Sequence, residues 1–286
     1  MINYNPKEWF AFVFHLHKAD TFRKLWQIMA AMAIFSTIIA FLGLNYLELS
    51  QTPYAKNIGM MHSLLGFVIS MLLVFRTNTS YDRWWEGRKL LGSLVNVSRN
   101  FAIKINALGI DGEDRFFFKN TIANYAFVLK DHLREKRIYD KESVLIEPLN
   151  ELHLPNQIAS ALVSKVYALE QSGKISPHQL MILNEDLNQF VNVCGGCERI
   201  RNTPIPFSYS AFIKKFVFFY IFTLPFGLVL SLGYYMVPII PFILYVLASL
   251  ELIAEQIENP FGLDANDLPL DDICANIKRH TAEILI

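Results

Sequence analysis

Charge is scarce in this sequence, and the places where it is missing set the architecture. Asp, Glu, Lys and Arg make up 18% of the 286 residues, against about 25% in typical soluble proteins. None of the four occurs from Leu25 to Leu47, from Asn57 to Phe75, or from Phe216 to Leu250. Each run is long enough to cross a bilayer core as a helix, which takes roughly 18–20 apolar residues. The third would reach roughly 50 Å as one helix at about 1.5 Å per residue, well beyond a hydrocarbon core of about 30 Å. It is therefore expected to form two elements, with Gly233, Pro238 and Pro241 marking the break, because proline favours a helix start over its interior. The chain is read as an all-α, multi-pass membrane protein with membrane helices at about 25–47, 57–75, 216–234 and 238–258.

Other absences narrow the function. With 26 basic and 26 acidic residues there is no net charge, so nothing favours a nucleic-acid partner. Cysteine is limited to Cys194, Cys197 and Cys274; CGGC has no second CxxC or HxxxH to complete a tetrahedral metal site and is expected to be ordinary thiols in a glycine-containing turn. No GxSxG, HExxH or phosphate loop occurs, and His15 and His17, two apart, would point to different sides of a helix. An enzyme is not expected, nor a cofactor or a bound metal.

No small-residue cleavage site follows the polar lead, which carries Lys7, Lys18, Arg23 and Lys24, so the first span is expected to stay in place. Lys56 stands alone between spans one and two, whereas Arg76, Arg83, Arg88 and Lys89 follow span two. Basic residues mark the cytoplasmic side, which puts both termini in the cytoplasm of a cell whose plasma (inner) membrane holds the protein. Neither repeats nor flexible linkers interrupt the chain, so residues 1–286 are expected to form one unit. Its cytoplasmic region, about 77–215, is helical: apolar residues in GEDRFFFKNTIANYAFVLKDHLR recur near a 3.6-residue period. NQIASALVSKVYALEQSG is bounded by Asn156 and Gly173, and Ser176 and Pro177 suit the cap and first turn of a third helix.

Three stretches carry chemistry. In span two, Gly59, Ser63, Gly66 and Ser70 form a small-residue face of the kind that lets helix backbones approach closely. RTNTSYDRWWEGRK follows at once; Trp84 and Trp85 suit the headgroup level, and Asp82, Glu86 and Lys89 are spaced for local ion pairs. In ASLELIAEQIENPFG, Glu251, Glu255 and Glu258 share one helical face. Carboxylates entering a membrane helix face water or protein, so the three either line an aqueous passage or pair with Arg and Lys of residues 76–89; pairing is preferred.

Taken together, FRTNTSYDRWWEGRKLLGSL after an apolar helix, CERIRNTPIPFSY before the third span and IAEQIENPFGLDANDLPLD after the fourth resemble the bestrophins in their bacterial form. The family-motif positions are Arg76, Tyr81, Asp82, Arg83, Trp85, Glu86, Pro206, Asn259, Pro260, Phe261 and Gly262. The resemblance implies a homopentameric ion channel in the lipid bilayer, with four membrane helices per subunit, a helical cytoplasmic body and a C-terminal belt, here residues 259–286. Five second helices would form an apolar neck, and a cytoplasmic aperture would fall at the Ile before Pro in TPIP, here Ile205. Two registers for the neck stay open: Met60, Leu64 and Val68, or Ser63 and Phe67. Bacterial members are associated with monovalent cations and animal members with anions. Sodium-type cations are favoured, with chloride, or a scaffold binding a soluble partner, as alternatives.

The acidic stretch after NPFG is not an EF-hand: counting from Asp264, the sixth position is Pro269 and the twelfth Ala275, where glycine and glutamate are required. Animal bestrophins carry a near-continuous acidic run there as part of a calcium clasp. Leu263, Ala265 and Asn266 break that run here, leaving Asp264 and Asp267 as weak metal candidates in a belt expected to be structural.

Overall fold

The computed structural model describes residues 21–45, 54–135 and 153–286. Lys7, Lys18, His15 and His17 lie outside the described residues, as do Tyr46 and Leu47 at the end of the expected first span. Eight α-helices are described: α1 (Thr21–Asn45), α2 (Tyr54–Ala107), α3 (Gly112–Leu133), α4 (Leu154–Gln171), α5 (Pro177–Asn202), α6 (Phe207–Leu232), α7 (Met236–Glu258) and α8 (Leu270–Ile284). No strand occurs among the described residues. The stretches Thr21–Asn45, Asn57–Ala107 and Phe207–Glu258 are long and apolar enough to cross a membrane.

Several boundaries depart from the sequence expectation. The helix that carries span two does not end where the apolar run ends: α2 continues without a break for 54 residues, about 80 Å at 1.5 Å per residue. It contains no proline, and a change from apolar to polar side chains alters what surrounds a helix without breaking its backbone. Likewise α6 starts at Phe207, ahead of the charge-free run. The turn between the last two apolar helices is a 3₁₀ segment, Gly233–Tyr235, where Gly233 takes φ +53°, a conformation open to glycine. Pro238 therefore lies in the first turn of α7 rather than at its edge, and Pro241 inside the helix.

The local helix signals of the body hold, with adjustments. Ser176 and Gln179 form a reciprocal capping box at the start of α5. Asp111 caps α3 through Asp114 N at 3.0 Å. Helix α4 begins two residues before Asn156, with His153 as its cap, and Gly173 ends that segment at φ +74°. CGGC is not a turn: it lies inside α5, where Gly196 lets Leu90 of α2 approach to 2.8 Å from the place a Cβ would occupy. All three thiols are buried, and burial pushes each up to about 12. They are inert core groups at neutral pH.

Two apolar cores result. One joins α1, the first half of α2, α6 and α7 around Ile69, Leu73, Ile213, Ile221, Met236 and Ile240. The other joins the second half of α2 to α3, α4, α5, the belt and α8 around Phe101, Phe118, Leu162, Phe190, Phe261 and Ile277. Along α2 the residues buried against both recur every three or four positions (Ile69, Leu73, Arg76, Ser80, the partly buried Trp84, Gly87, Leu91, Leu94), so one face of the rod serves both cores. The belt is docked on it: Trp84 Nε1 donates to Asn266 O at 3.1 Å, and a Cβ at Gly87 would meet Pro260 and Phe261 at 3.1–3.2 Å. Trp84 thus packs against the core of the body. Gly87→Val should crowd this contact and lower stability by about 1–3 kcal/mol, measured by thermal unfolding of the detergent-solubilised protein.

Candidate functional site

Backbone donors and acceptors left over at helix ends need partners, and at the junction of the two cores those partners come from three distant stretches of sequence. Arg76 of α2 is 1% exposed. Its Nη2 donates to Glu258 Oε2 at 2.7 Å, its Nη1 to Ser80 Oγ at 3.2 Å, and its Nε lies 3.5 Å from Glu251 Oε1. The other oxygen of Glu258 accepts the backbone N–H of Ile205 at 2.8 Å. Proline has no N–H, so in Pro204-Ile205-Pro206 this is the one backbone donor, and a carboxylate takes it in a charge-assisted bond.

Arg83, two turns further along α2, closes the same junction from the other side. Its Nε donates to Glu258 O at 3.1 Å and its Nη1 to Thr203 O at 2.6 Å, while Nη2 bonds Ile200 O. Carbonyls at helix C-termini are both unpaired and at the negative end of the dipole; one guanidinium here serves the ends of α5 and α7. The stretches carrying Arg76 and Arg83, Ile205 and Glu258 therefore meet at one point.

The three-carboxylate face of α7 is resolved mostly as pairing. Glu251 and Glu258 turn to Arg76, as expected, but Glu255 pairs with Lys214 of α6 at 3.0 Å, outside residues 76–89. The local pairs expected among Asp82, Glu86 and Lys89 do not form; Glu86 instead bonds Arg199 of α5. Glu251 keeps both oxygens free of hydrogen bonds.

On the opposite side of α2, Met60, Ser63, Leu64, Phe67 and Val68 are all exposed in the single chain, Phe67 at 64%. Of the small-residue face Gly66 lies closest to a neighbouring helix: a Cβ there would stand 2.8 Å from Tyr220 Oη. Ser63 and Ser70 are exposed and bond back to Gly59 O and Gly66 O, which satisfies the hydroxyls within the helix. Tyr81, Asp82 and Trp85 lie on the same uncovered side further along, with Tyr81 stacked against Trp85. Ile205 is partly exposed and Pro206 exposed.

The family model of bacterial/fungal bestrophin protein matches residues 1–283. The chain belongs to that family. Among the relatives of this bestrophin, a voltage-dependent anion channel-forming protein of Nostoc sp. is 33% identical over 289 aligned residues, covering 97% of this chain and 92% of the relative. One from Escherichia coli with the same descriptive name is 32% identical over 262 residues, 86% of each chain. A solved bacterial bestrophin homologue from Klebsiella pneumoniae superposes with a TM-score of 0.80 at 28% identity, covering 91% of this chain and 98% of the other.

In the belt of this bestrophin, Asn259 and Pro260 lead into Phe261, which is fully buried. Asp267 Oδ2 accepts Asp264 N at 2.6 Å and fills the space beside Gly262, 2.8 Å from where a Cβ would stand. Leu268 N closes the turn on Pro260 O at 2.9 Å. Arg134 shares the adjoining cavity of about 290 Å³ with Asp264, Asp267, Asp271 and Asp272, so a cation is already supplied there by the protein. Burial pushes the Asp267 carboxyl up to about 6. The hydrogen bond from Arg134, with another from Lys130, holds Asp271 down to about 2.

Three outcomes follow from these contacts. Arg76→Met should leave the buried Glu251 and the part-buried Glu258 without their cation and cost about 3–5 kcal/mol, read from denaturant unfolding in detergent. Asp267 keeps its proton to higher pH folded than unfolded, so its contribution to stability falls as pH rises from about 4 to about 6; Asp267→Asn should flatten that limb of a thermal-stability profile. Asp271 acts in a separate window, its contribution being lost as pH falls through about 4 to about 2.

Proposed function

We propose that this bestrophin is a homopentameric ion channel of the plasma (inner) membrane, conducting small monovalent ions along an axis lined by five copies of α2. The observation that carries this reading is the uncovered side of α2. One face of the helix is buried in its own subunit along both cores, and the opposite face is apolar in the first half and carries Asn78, Asp82 and Lys89 in the second. A helix that lines an aqueous axis needs such a free face, and each side chain on it becomes a ring in an assembly.

At 100° per residue the middle of the uncovered arc of α2 runs through Met60, Leu64, Phe67 and Met71, with Ser63 and Val68 at its edges. The neck is assigned to the rings of Met60, Leu64 and Phe67, which takes members from both registers. Apolar rings of this kind gate by dewetting. Ile205 forms the aperture, its backbone held by Glu258. Residues 77–215 and the belt form the cytoplasmic body, with four membrane helices per subunit and both termini in the cytoplasm; the basic residues that follow span two support this orientation. The belt is structural and is assigned no calcium. The curated relatives are named as channel-forming proteins rather than enzymes, in keeping with the lack of a catalytic constellation in the sequence.

Monovalent cations, sodium among them, are the favoured permeant ions. Asp82 is exposed and has no ion pair among the described residues, whereas Arg76 and Arg83 are turned inward and engaged. Five unpaired carboxylates at the end of a neck attract cations. The names of the relatives favour the opposite reading, an anion channel of the same architecture, and Lys89 on the same arc is the residue that would serve it.

Purified protein in planar bilayers under an asymmetric NaCl gradient should give a reversal potential displaced toward sodium equilibrium, and Asp82→Asn should move it back toward zero. Displacement toward chloride equilibrium would sink the cation assignment, and silent, intact pentamers would sink the channel. Ile205→Ala should raise conductance or alter selectivity with no loss of assembly on gel filtration.

A further inference from the structure

One side-chain cluster lies outside both the junction and the uncovered face of α2. His132 is in the last turn of α3, His153 caps the start of α4, and Glu198 belongs to α5. His132 Nε2 stands 2.7 Å from Glu198 Oε1, and His153 Nε2 contacts the same oxygen more closely. The two imidazole rings are 4.5 Å apart between centroids, and the three ligand atoms lie within 4.8 Å of one another. All three side chains are partly buried.

Two imidazole nitrogens and one carboxylate oxygen from three separate elements suit a borderline transition ion, whereas calcium and magnesium require oxygen ligands throughout. We propose that His132 Nε2, His153 Nε2 and the Glu198 carboxylate bind a divalent ion of the zinc class, with a fourth position left for water. Small movements of the rings open the space the ion needs, since metal–nitrogen bonds are about 2.0–2.1 Å and the nitrogen and oxygen atoms now touch directly.

In the metal-free arrangement protons occupy that space. His153 Nδ1 accepts the Asn156 N–H at 3.2 Å, so the proton of a neutral ring sits on Nε2 and points to Glu198. Burial works against the ionised form of Glu198, but the hydrogen bonds from His153 and His132 outweigh it and hold this carboxyl below its ordinary range. Metal binding requires Nε2 to be bare, so His153 moves its proton to Nδ1 and gives up the long contact with Asn156. Ion and protons compete for the same nitrogens, so binding weakens as pH falls.

The location suggests what the ion does. Between Glu198 and Ile205 on the chain, Arg201 donates to His132 O at 2.9 Å. A bound ion ties the ends of α3 and α5 together immediately before the segment that presents Ile205. The metal site itself stands whether or not the chain conducts ions.

The test uses the detergent-purified full chain, stripped with chelator and titrated with zinc chloride by calorimetry. About one ion per subunit should bind, with a rise in unfolding temperature and weaker binding at pH 6 than at pH 8. His132→Gln and His153→Asn should each lower affinity at least about tenfold; Asn at 153 still caps the helix, so a folded variant is available. X-ray absorption of the zinc-loaded protein should show nitrogen and oxygen ligands near 2.0 Å with no sulfur, which separates this site from the three cysteines. Absence of saturable binding, sulfur in the first coordination sphere, or unchanged affinity in both variants would overturn the proposal.

Discussion

A buried guanidinium governs this architecture. Arg76 sits where the apolar core of α1, α6 and α7 gives way to the core of the body, and a cation in that position is tolerable only with its charge matched and its donors engaged. Glu258 and Glu251 of α7 match the charge, while Glu258 and Ser80 take its two terminal nitrogens. Because Glu258 also takes the Ile205 N–H, one ion pair positions three things at once: the register of α7 against α2, the end of the last apolar helix, and the proline-flanked segment between α5 and α6. Arg83 repeats the logic with carbonyls instead of carboxylates.

The glycines that matter support this arrangement by closeness rather than by flexibility. Gly87 lets Phe261 and Pro260 lie on α2, and Gly196 lets α5 lie against Leu90. The belt and α5 are thereby held on the same stretch of α2 that carries Arg76 and Arg83, and the hydrogen-bond distances of the junction depend on those contacts.

Much of the fold was legible from patterns that act locally. Runs without charge marked the apolar helices, Gly233 marked the turn, and Ser176 with Pro177 marked the start of α5. The three motif stretches pointed to one family, and the structure brings them together. What local pattern could not give was the partner of a charge when that partner is far along the chain. Glu86 has Lys89 within a turn yet bonds Arg199, and Glu255 finds Lys214; spacing along a helix cannot see either. Polarity does not mark helix ends, so α2 runs on past its apolar stretch, and Gly196 of CGGC answers to a crossing helix rather than to a turn. His132, His153 and Glu198 gave no spacing signal at all, being brought together only by the packing of α3, α4 and α5. The rings that would line an axis lie beyond any single chain, so the choice among residues on the uncovered arc is a matter of assembly.

The unbroken length of α2 has a mechanical meaning. A rod of about 80 Å without proline, anchored in one core at its first half and in another at its second, has no hinge at the membrane surface. Bending there would have to break the Arg76 and Arg83 contacts together. The helix is therefore left with rigid-body freedoms, roll about its own axis and tilt as a whole. Either of these moves its apolar and polar halves in step, so in the proposed assembly the two ends of the passage would open as one.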